Sequence, residues 1–281
     1  MKINTKIMRT AALAFACAMA ASTGTAGLIA HYEFEGDLTD SAGTRDGSFL
    51  NVESSLGSGS ARLGNGFLTV DTTGDAGTQN VGFQSGGAPF MLGGGERTIA
   101  FFVRSTGVSS GRPTFFSLGS GTGANTGQRF DLTLAPGNPN DGVRIEVNGN
   151  GATGGDLTSI GTNLLDGQWH HIAVRTAANP SLDDVEIFIN GASIGTVPGG
   201  ADPNLITADS ALVIGDSFAL SAGANLFRGF TGDFDDFRVY DMALSNGEIA
   251  SLAQGIPEPS TFVLLAASVA GCWCALRQRS R

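Results

Sequence analysis

Val185-Glu-Ile-Phe-Ile189 and Ala192-Ser-Ile-Gly-Thr-Val197 are two runs of β-forming residues separated only by Asn190-Gly191. Asn-Gly supplies the positive φ that both centres of a type I′ turn require, so this stretch predicts a β-hairpin. Working outwards, short runs rich in Val, Ile, Phe and Thr recur along the chain, bounded by Gly, Asn, Asp, Ser and Pro clusters. The clear examples are 28–34, 62–70, 97–104, 114–118, 129–134, 143–147, 170–175, 212–214 and 234–240. In Val143-Arg-Ile-Glu-Val147 one face is aliphatic and the other charged, the period-two pattern of a strand with one side on a core. No long helical period interrupts the series. Strands of this number with Gly-rich turns predict an all-β fold, a two-sheet antiparallel jelly-roll sandwich. The Gly-heavy segments 57–66, 71–95 and 149–161 read as loops, without the strict period of a solenoid or collagen. Ser245-Asn-Gly-Glu248 has capping-box spacing, and Ile249 and Leu252 give the next turn an apolar side, so 245–253 is expected to be a short closing helix.

The ends are a different material. Lys2, Lys6 and Arg9 precede the apolar run 10–20 and the small residues up to Ala26, a signal-peptide pattern that predicts export and removal of 1–26 by signal peptidase. Cleavage after Ala26 is the first choice and after Ala20 the second; Ala14-Phe-Ala-Cys17 resembles a lipoprotein box only faintly. At the other end Pro257-Glu258-Pro259 precedes an apolar stretch, 261–276, and the tail Arg277-Gln-Arg-Ser-Arg281. Sixteen residues at about 1.5 Å each make a transmembrane helix of roughly 24 Å, short but workable with snorkelling arginines. The arginines would stay cytoplasmic and everything before Pro257 outside. The triplet, apolar helix and Arg-rich tail together resemble the PEP-CTERM sorting signal, over 256–281. That resemblance implies a bacterial envelope protein processed near the triplet by an exosortase, the other reading being a simple tail anchor.

Setting the ends aside changes the balance. The whole chain carries a formal −10, but residues 27–256 hold 10 Arg, no Lys and 25 acids, a net of −15. With so few cations a nucleic-acid partner is excluded. Cys17, Cys272 and Cys274 all lie in the ends, so the domain 27–255 contains neither disulfide nor thiolate ligand and rests on its core or on bound metal.

Four segments then resemble one family. Ile29-Ala-His-Tyr-Glu-Phe-Glu-Gly-Asp-Leu-Thr-Asp-Ser-Ala42, Gly167-Gln-Trp-His-His-Ile-Ala-Val174, Val185-Glu-Ile-Phe-Ile-Asn-Gly191 and Gly232-Asp-Phe-Asp-Asp-Phe-Arg-Val-Tyr-Asp-Met-Ala-Leu-Ser245 are similar, in order, to the laminin-G-like, concanavalin A-like jelly rolls. The resemblance implies two antiparallel sheets, one concave, and a binding role more often than a catalytic one. It also implies a structural calcium tying the loop after the first strand to the last strand, at Asp40 and Asp235, with ordinary surface charge as the alternative.

Candidate chemistry is sparse. His170 and His171 are strand neighbours, which point to opposite faces and cannot chelate one ion; one is expected in the core and one at the surface. His31 lacks the cysteines of a zinc set and reads as structural. Glu33/Glu35 and Asp233/Asp235 share a face but lack the Glu-x-Asp-x-(x)-Glu spacing of jelly-roll glucanases, and no Gly-x-Ser-x-Gly elbow occurs. Trp169 reads as buried, which leaves polar or calcium-mediated sugar binding rather than stacking. The expected function is a non-catalytic exported surface or matrix protein whose module binds an exopolysaccharide or a surface protein. The alternatives are a polysaccharide-acting enzyme on the same fold and a self-associating coat component.

Overall fold

The structure, a computed structural model, describes residues 27–50, 53–72, 81–86, 93–107, 112–119, 129–135, 138–147, 154–198, 211–217 and 228–256. The expected signal peptide, the Pro257-Glu258-Pro259 triplet and the helix 261–276 lie outside them. Among the described residues no helix is long and apolar enough to cross a membrane.

Fifteen strands are described. They begin with β1 (Leu28–Tyr32), β2 (Gly47–Phe49), β3 (Ser55–Ser58), β4 (Gly66–Val70), β5 (Phe83–Ser85), β6 (Arg97–Arg104) and β7 (Thr114–Gly119). There follow β8 (Arg129–Leu134), β9 (Gly142–Glu146), β10 (Gly154–Thr158), β11 (His170–Thr176), β12 (Glu186–Ile189), β13 (Ala192–Thr196), β14 (Leu212–Ile214) and β15 (Gly232–Tyr240). The helix α1 (Asn246–Ala253) comes last. One eight-stranded antiparallel sheet runs β13-β12-β11-β6-β15-β4-β3, with β1 also on β15; a seven-stranded sheet runs β10-β9-β8-β7-β14-β5-β2. This is the two-sheet sandwich that the strand pattern predicts, and the hairpin about Asn190 (φ 51°) and Gly191 (φ 84°) joins β12 to β13 as expected. Ser245 caps α1 through a capping box with Glu248.

The core forms where the period of two places apolar side chains between the sheets. Ile99, Phe101 and Val103 of β6 and Phe234, Phe237 and Val239 of β15 face Phe116 and Leu118 of β7 and Phe130, Leu132 and Leu134 of β8. Phe101 stacks on Phe237 with centroids 5.0 Å apart and meets Phe116 edge-on at 6.0 Å, so rings bridge the two sheets.

Three strands occupy segments expected to be loops: β3 overlaps 57–66, β5 lies in 71–95 and β10 in 149–161. Each is short, with one large apolar residue among small or polar ones, and its pairing comes from a stronger neighbour, as in Leu56↔Leu68 and Gly57↔Phe67. A Cβ at Gly57 would stand 2.3 Å from the Phe67 ring, so here glycine serves packing rather than a turn.

Strict alternation fails in β15 at Phe234-Asp-Asp-Phe237, where both phenylalanines face inwards. A bulge absorbs the extra residue by placing Asp236 at φ 51°, and its register with β6 shifts between Asp235 and Arg238. The Asp236 carboxylate accepts from His31 Nε2 at 2.7 Å and from Arg238 Nη2 at 3.0 Å, which fixes this left-handed residue in place.

The outer face of the eight-stranded sheet is covered. Arg62 lies 4.9 Å over the Phe102 ring and His171 packs on Phe102 at 5.0 Å, while Ile249 and Leu252 of α1 are buried. Both His170 and His171 are therefore buried, on opposite faces as expected but with neither at the surface. The His170 ring meets Asp166 and Asn190, whereas Nδ1 of His171 has no hydrogen-bond partner among the described residues. Burial, opposed by Asp236 and assisted by Arg238 and Arg62, lowers the His171 pKa to about 4.

Two predictions follow from this face. Asp236→Ala strands a buried His31 and Arg238 and should cost about 3 kcal/mol in urea unfolding, with Asp236→Asn costing clearly less. Because the folded state resists protonating His171 while the unfolded state does not, its contribution to stability falls as pH drops from the ordinary histidine range towards 4. The stability difference between His171→Gln and the parent should thus shift in the variant's favour between pH 7 and pH 4.5; an unchanged difference would remove the assignment.

Candidate functional site

On β8 and β9 the inward positions are apolar, so the period of two sends Arg129, Asp131, Arg144 and Glu146 to the outer face of the seven-stranded sheet. Asp131 lies directly across from Glu146 in register, and Asp156 of β10 lies across from Arg144. Ser117 of β7 is opposite Asp131, and Arg228 is held beside the start of β7, its carbonyl accepting from Thr114 N at 2.8 Å. Arg112 enters two residues before β7.

These side chains converge on one carboxylate. Glu146 Oε1 accepts from Arg112 Nη1 at 2.5 Å and Arg144 Nε at 3.2 Å; Oε2 accepts from Arg228 Nη1 at 2.6 Å and Arg129 Nη2 at 3.0 Å. Arg144 Nη1 reaches out to Asp156 at 2.7 Å. Asp131 accepts from the hydroxyls of Ser117 and Ser217 and lies 3.1 Å from Arg129 Nε as an ion pair, off the hydrogen-bond direction. Arg129 Nη1 and Arg228 Nε, both buried, have no hydrogen-bond partner among the described residues. The side chains of Arg129 and Glu146 are 1% and 3% exposed, whereas that of Arg112 is 26% exposed and marks the solvent side.

The two facing carboxyls titrate in opposite directions. Burial pushes Asp131 up, against Arg129 and the two serine hydroxyls, and the charge of Glu146 adds to the push. Burial also works to raise Glu146, but Arg228, Arg112 and Arg129 outweigh it and hold it down. The face is therefore a cationic layer around one ionised carboxylate, rich in directed N–H donors.

Asp40 follows β1 and Asp235 lies on β15, so both belong to the eight-stranded sheet and its loops. Asp40 Oδ1 accepts backbone N–H groups of His31, Ala42 and Gly43, clamping its own turn. Asp235 Oδ2 accepts from the N–H groups of Arg62 and Leu63, and burial foremost raises its pKa to about 6. Among the described residues no three His, Cys, Asp or Glu side chains form a group that could hold a metal ion. The partner that His31 joins to the first strand is Asp236, one residue on from the expected Asp235. Glu35 and Asp233 are likewise engaged, with Asn65 and Gly66 N–H groups and with Arg104. Trp169 is half-buried rather than buried, its indole donating to Ser60 O at 2.9 Å beneath Arg104, 4.6 Å from the ring.

The arginine layer was missed in the sequence because a charged strand face reads as solvated. The available signal was local, Arg129-Phe-Asp131 beside Arg144-Ile-Glu146 in successive strands; the arrival of Arg228 was not legible.

Comparison with known proteins agrees with this architecture. The family model described as the concanavalin A-like lectin/glucanases superfamily matches residues 75–250. Among curated proteins none matches. Domain 4 of AbnA, an extracellular arabinanase from Geobacillus stearothermophilus solved with arabinotriose, is 19% identical with a TM-score of 0.60, covering 82% of this chain and 100% of that one. Trypanosoma rangeli sialidase is 15% identical with a TM-score of 0.54, over 82% of this chain and 33% of that one. The binding domain of Paraclostridial Mosquitocidal Protein 1 is 16% identical with a TM-score of 0.50, over 81% and 52%. At these identities the solved structures share the fold alone. With the family model spanning more than half its length, this chain belongs to the concanavalin A-like lectin/glucanases superfamily.

Proposed function

We propose that this chain is an exported, non-catalytic glycan-binding protein of the cell surface or matrix. The observation that carries the reading is the outer face of the seven-stranded sheet, where four arginines converge on Glu146 and the cluster reaches solvent at Arg112 and Asp156, 26% and 38% exposed. Sugar recognition is built from directed polar donors of this kind, held rigid by a scaffold. The complex of arabinanase domain 4 with arabinotriose gives the fold a precedent for holding a saccharide. Under the same proposal residues 1–26 direct export and 256–281 form a PEP-CTERM signal, held in the membrane by 261–276 until an exosortase acts near Pro257, Glu258 and Pro259. Calcium has no part in the proposed binding face, since Asp40 and Asp235 are engaged elsewhere.

A second reading, a polysaccharide-acting enzyme, is favoured by one observation. Asp131 and Glu146 sit directly across adjacent strands, one drawn towards its neutral form and the other held ionised, the division that a glycosidic acid and nucleophile need. Against it, both oxygens of Glu146 are occupied by arginines.

The two readings part in one experiment. The full chain, incubated with a panel of insoluble polysaccharides, is expected to be retained on at least one without releasing new reducing ends. New ends that vanish in Glu146→Gln would establish the enzyme instead. Changing Arg112 and Arg144 together to Gln should weaken retention about tenfold or more, since charge-assisted hydrogen bonds are roughly twice as strong as neutral ones, while melting stays cooperative.

A further inference from the structure

The edge of the arginine cluster that meets solvent is a single row. Arg112 Nη1 donates to Glu146 Oε1 at 2.5 Å, Arg144 Nε donates to the same oxygen at 3.2 Å, and Arg144 Nη1 donates to Asp156 Oδ1 at 2.7 Å. Arg144 and Asp156 are directly opposed on β9 and β10, so the strand register sets this end of the row. Arg112 and Asp156, at the two ends, are its most exposed side chains, and Arg144 between them is 12% exposed. Arg129 and Arg228 are almost closed to solvent and stand outside the row, holding Glu146.

Along the row the charges alternate, cation, anion, cation, anion, and cancel. The hydrogen-bonding groups alternate with them, because a guanidinium only donates and a carboxylate only accepts. Among the described residues Asp156 Oδ2 has no partner, and neither have Nε and Nη2 of Arg112. A ligand at this edge therefore meets acceptors and donors in one line. An anion would take the donors but come against Asp156, in a domain whose residues 27–256 already carry −15; an amine would take Asp156 but come against two guanidiniums. A hydroxyl both donates and accepts, and has no charge to be repelled. Neighbouring hydroxyl oxygens on a sugar ring stand about one hydrogen-bond length apart, which is the separation of Arg144 Nη1 from Asp156 Oδ1. One hydroxyl can thus donate to the carboxylate while the next accepts from a guanidinium. No side chain of the row is aromatic, so affinity has to come from these bonds rather than from stacking.

We propose that this row binds a neutral glycan through vicinal hydroxyls, with Asp156 as the acceptor that selects against acidic polymers. The inference rests on the glycan-binding reading and narrows it to a substrate class.

The test uses the full chain with a soluble neutral galactan, fully methyl-esterified polygalacturonate and polygalacturonate itself, together with whichever insoluble polysaccharide retains the chain. Periodate followed by borohydride cuts the carbon–carbon bond between vicinal hydroxyls and leaves a neutral polymer without ring diols. Binding to the neutral polymers should fall about tenfold or more after that treatment. At low salt the ester should bind at least about tenfold more tightly than the acid, and added salt should narrow the gap while changing galactan binding by no more than about twofold. Asp156→Ala should weaken binding to the neutral polymers about tenfold, and Asp156→Asn, which keeps an uncharged acceptor, by less; both should melt like the parent, since Arg144 retains Glu146. Polygalacturonate bound as tightly as its ester, or retention on acidic polysaccharides alone, would overturn the inference and leave glycan binding standing. Unchanged binding after periodate, or in Asp156→Ala, would do the same. Failure to bind any of these polymers would overturn both.

Discussion

Alternation along the strands is the constraint on which everything else in this domain depends. Once Phe101, Phe130 and Phe237 are committed to the gap between the sheets, their neighbours must face outwards. Residues 27–256 contain no cysteine, so nothing covalent relieves the core of its task. The rings must hold two sheets together by contact alone, and that rigidity is what lets strands β8 and β9 present Arg129, Asp131, Arg144 and Glu146 in fixed register. Position on the outer face is thus a consequence of packing on the inner one.

The two outer faces solve the same problem differently. On the eight-stranded sheet, Arg62, Phe102, His171 and helix α1 make a mixed layer, and its carboxylates are tied to backbone N–H groups, to His31 and Arg238, or in separate pairs to Arg104 and Arg175. On the seven-stranded sheet, guanidiniums and carboxyls face one another. Buried ion layers are a poor route to stability, since apolar replacements of similar volume are often neutral or better by about 1–4 kcal/mol. A layer holding Arg129 and Glu146 almost wholly out of water is therefore not explained by folding, and its chemistry is the more natural reason for its existence.

Much of this was readable from local pattern. The hairpin at Asn190-Gly191, the capping box from Ser245 to Glu248 and the long strands β6, β8 and β15 each declare themselves through period, turn chemistry or caps. What stayed hidden depends on partners distant in sequence. Strands β3, β5 and β10 are recruited by pairing, and nothing in Gly154-Gly-Asp-Leu-Thr158 alone distinguishes a strand from a loop. The charged side of Val143-Arg-Ile-Glu-Val147 was expected in solvent, yet Glu146 is 2% exposed, because Arg112 and Arg228 arrive from 34 and 82 residues away. The link between His31 and the last strand was hidden for a related reason. The bulge at Asp236 changes which carboxylate reaches the first strand, and a bulge is invisible to a count of residues.

Glu146 has a further consequence for binding. Long cationic side chains normally lose about 0.5–1.5 kcal/mol of rotamer freedom each when a ligand immobilises them. Here that loss has already occurred on folding, because one carboxylate holds all four guanidiniums by hydrogen bonds of 2.5–3.2 Å. The internal acid therefore orients the arginines without exhausting them: Arg129 and Arg228 each keep an N–H free of any described partner. A ligand that reaches the exposed edge at Arg112 meets a guanidinium already oriented by Glu146, so ordering it costs less than at a flexible, fully solvated arginine. The same arrangement accounts for the depth of Glu146, since an acid at the surface could hold the arginines only in competition with water.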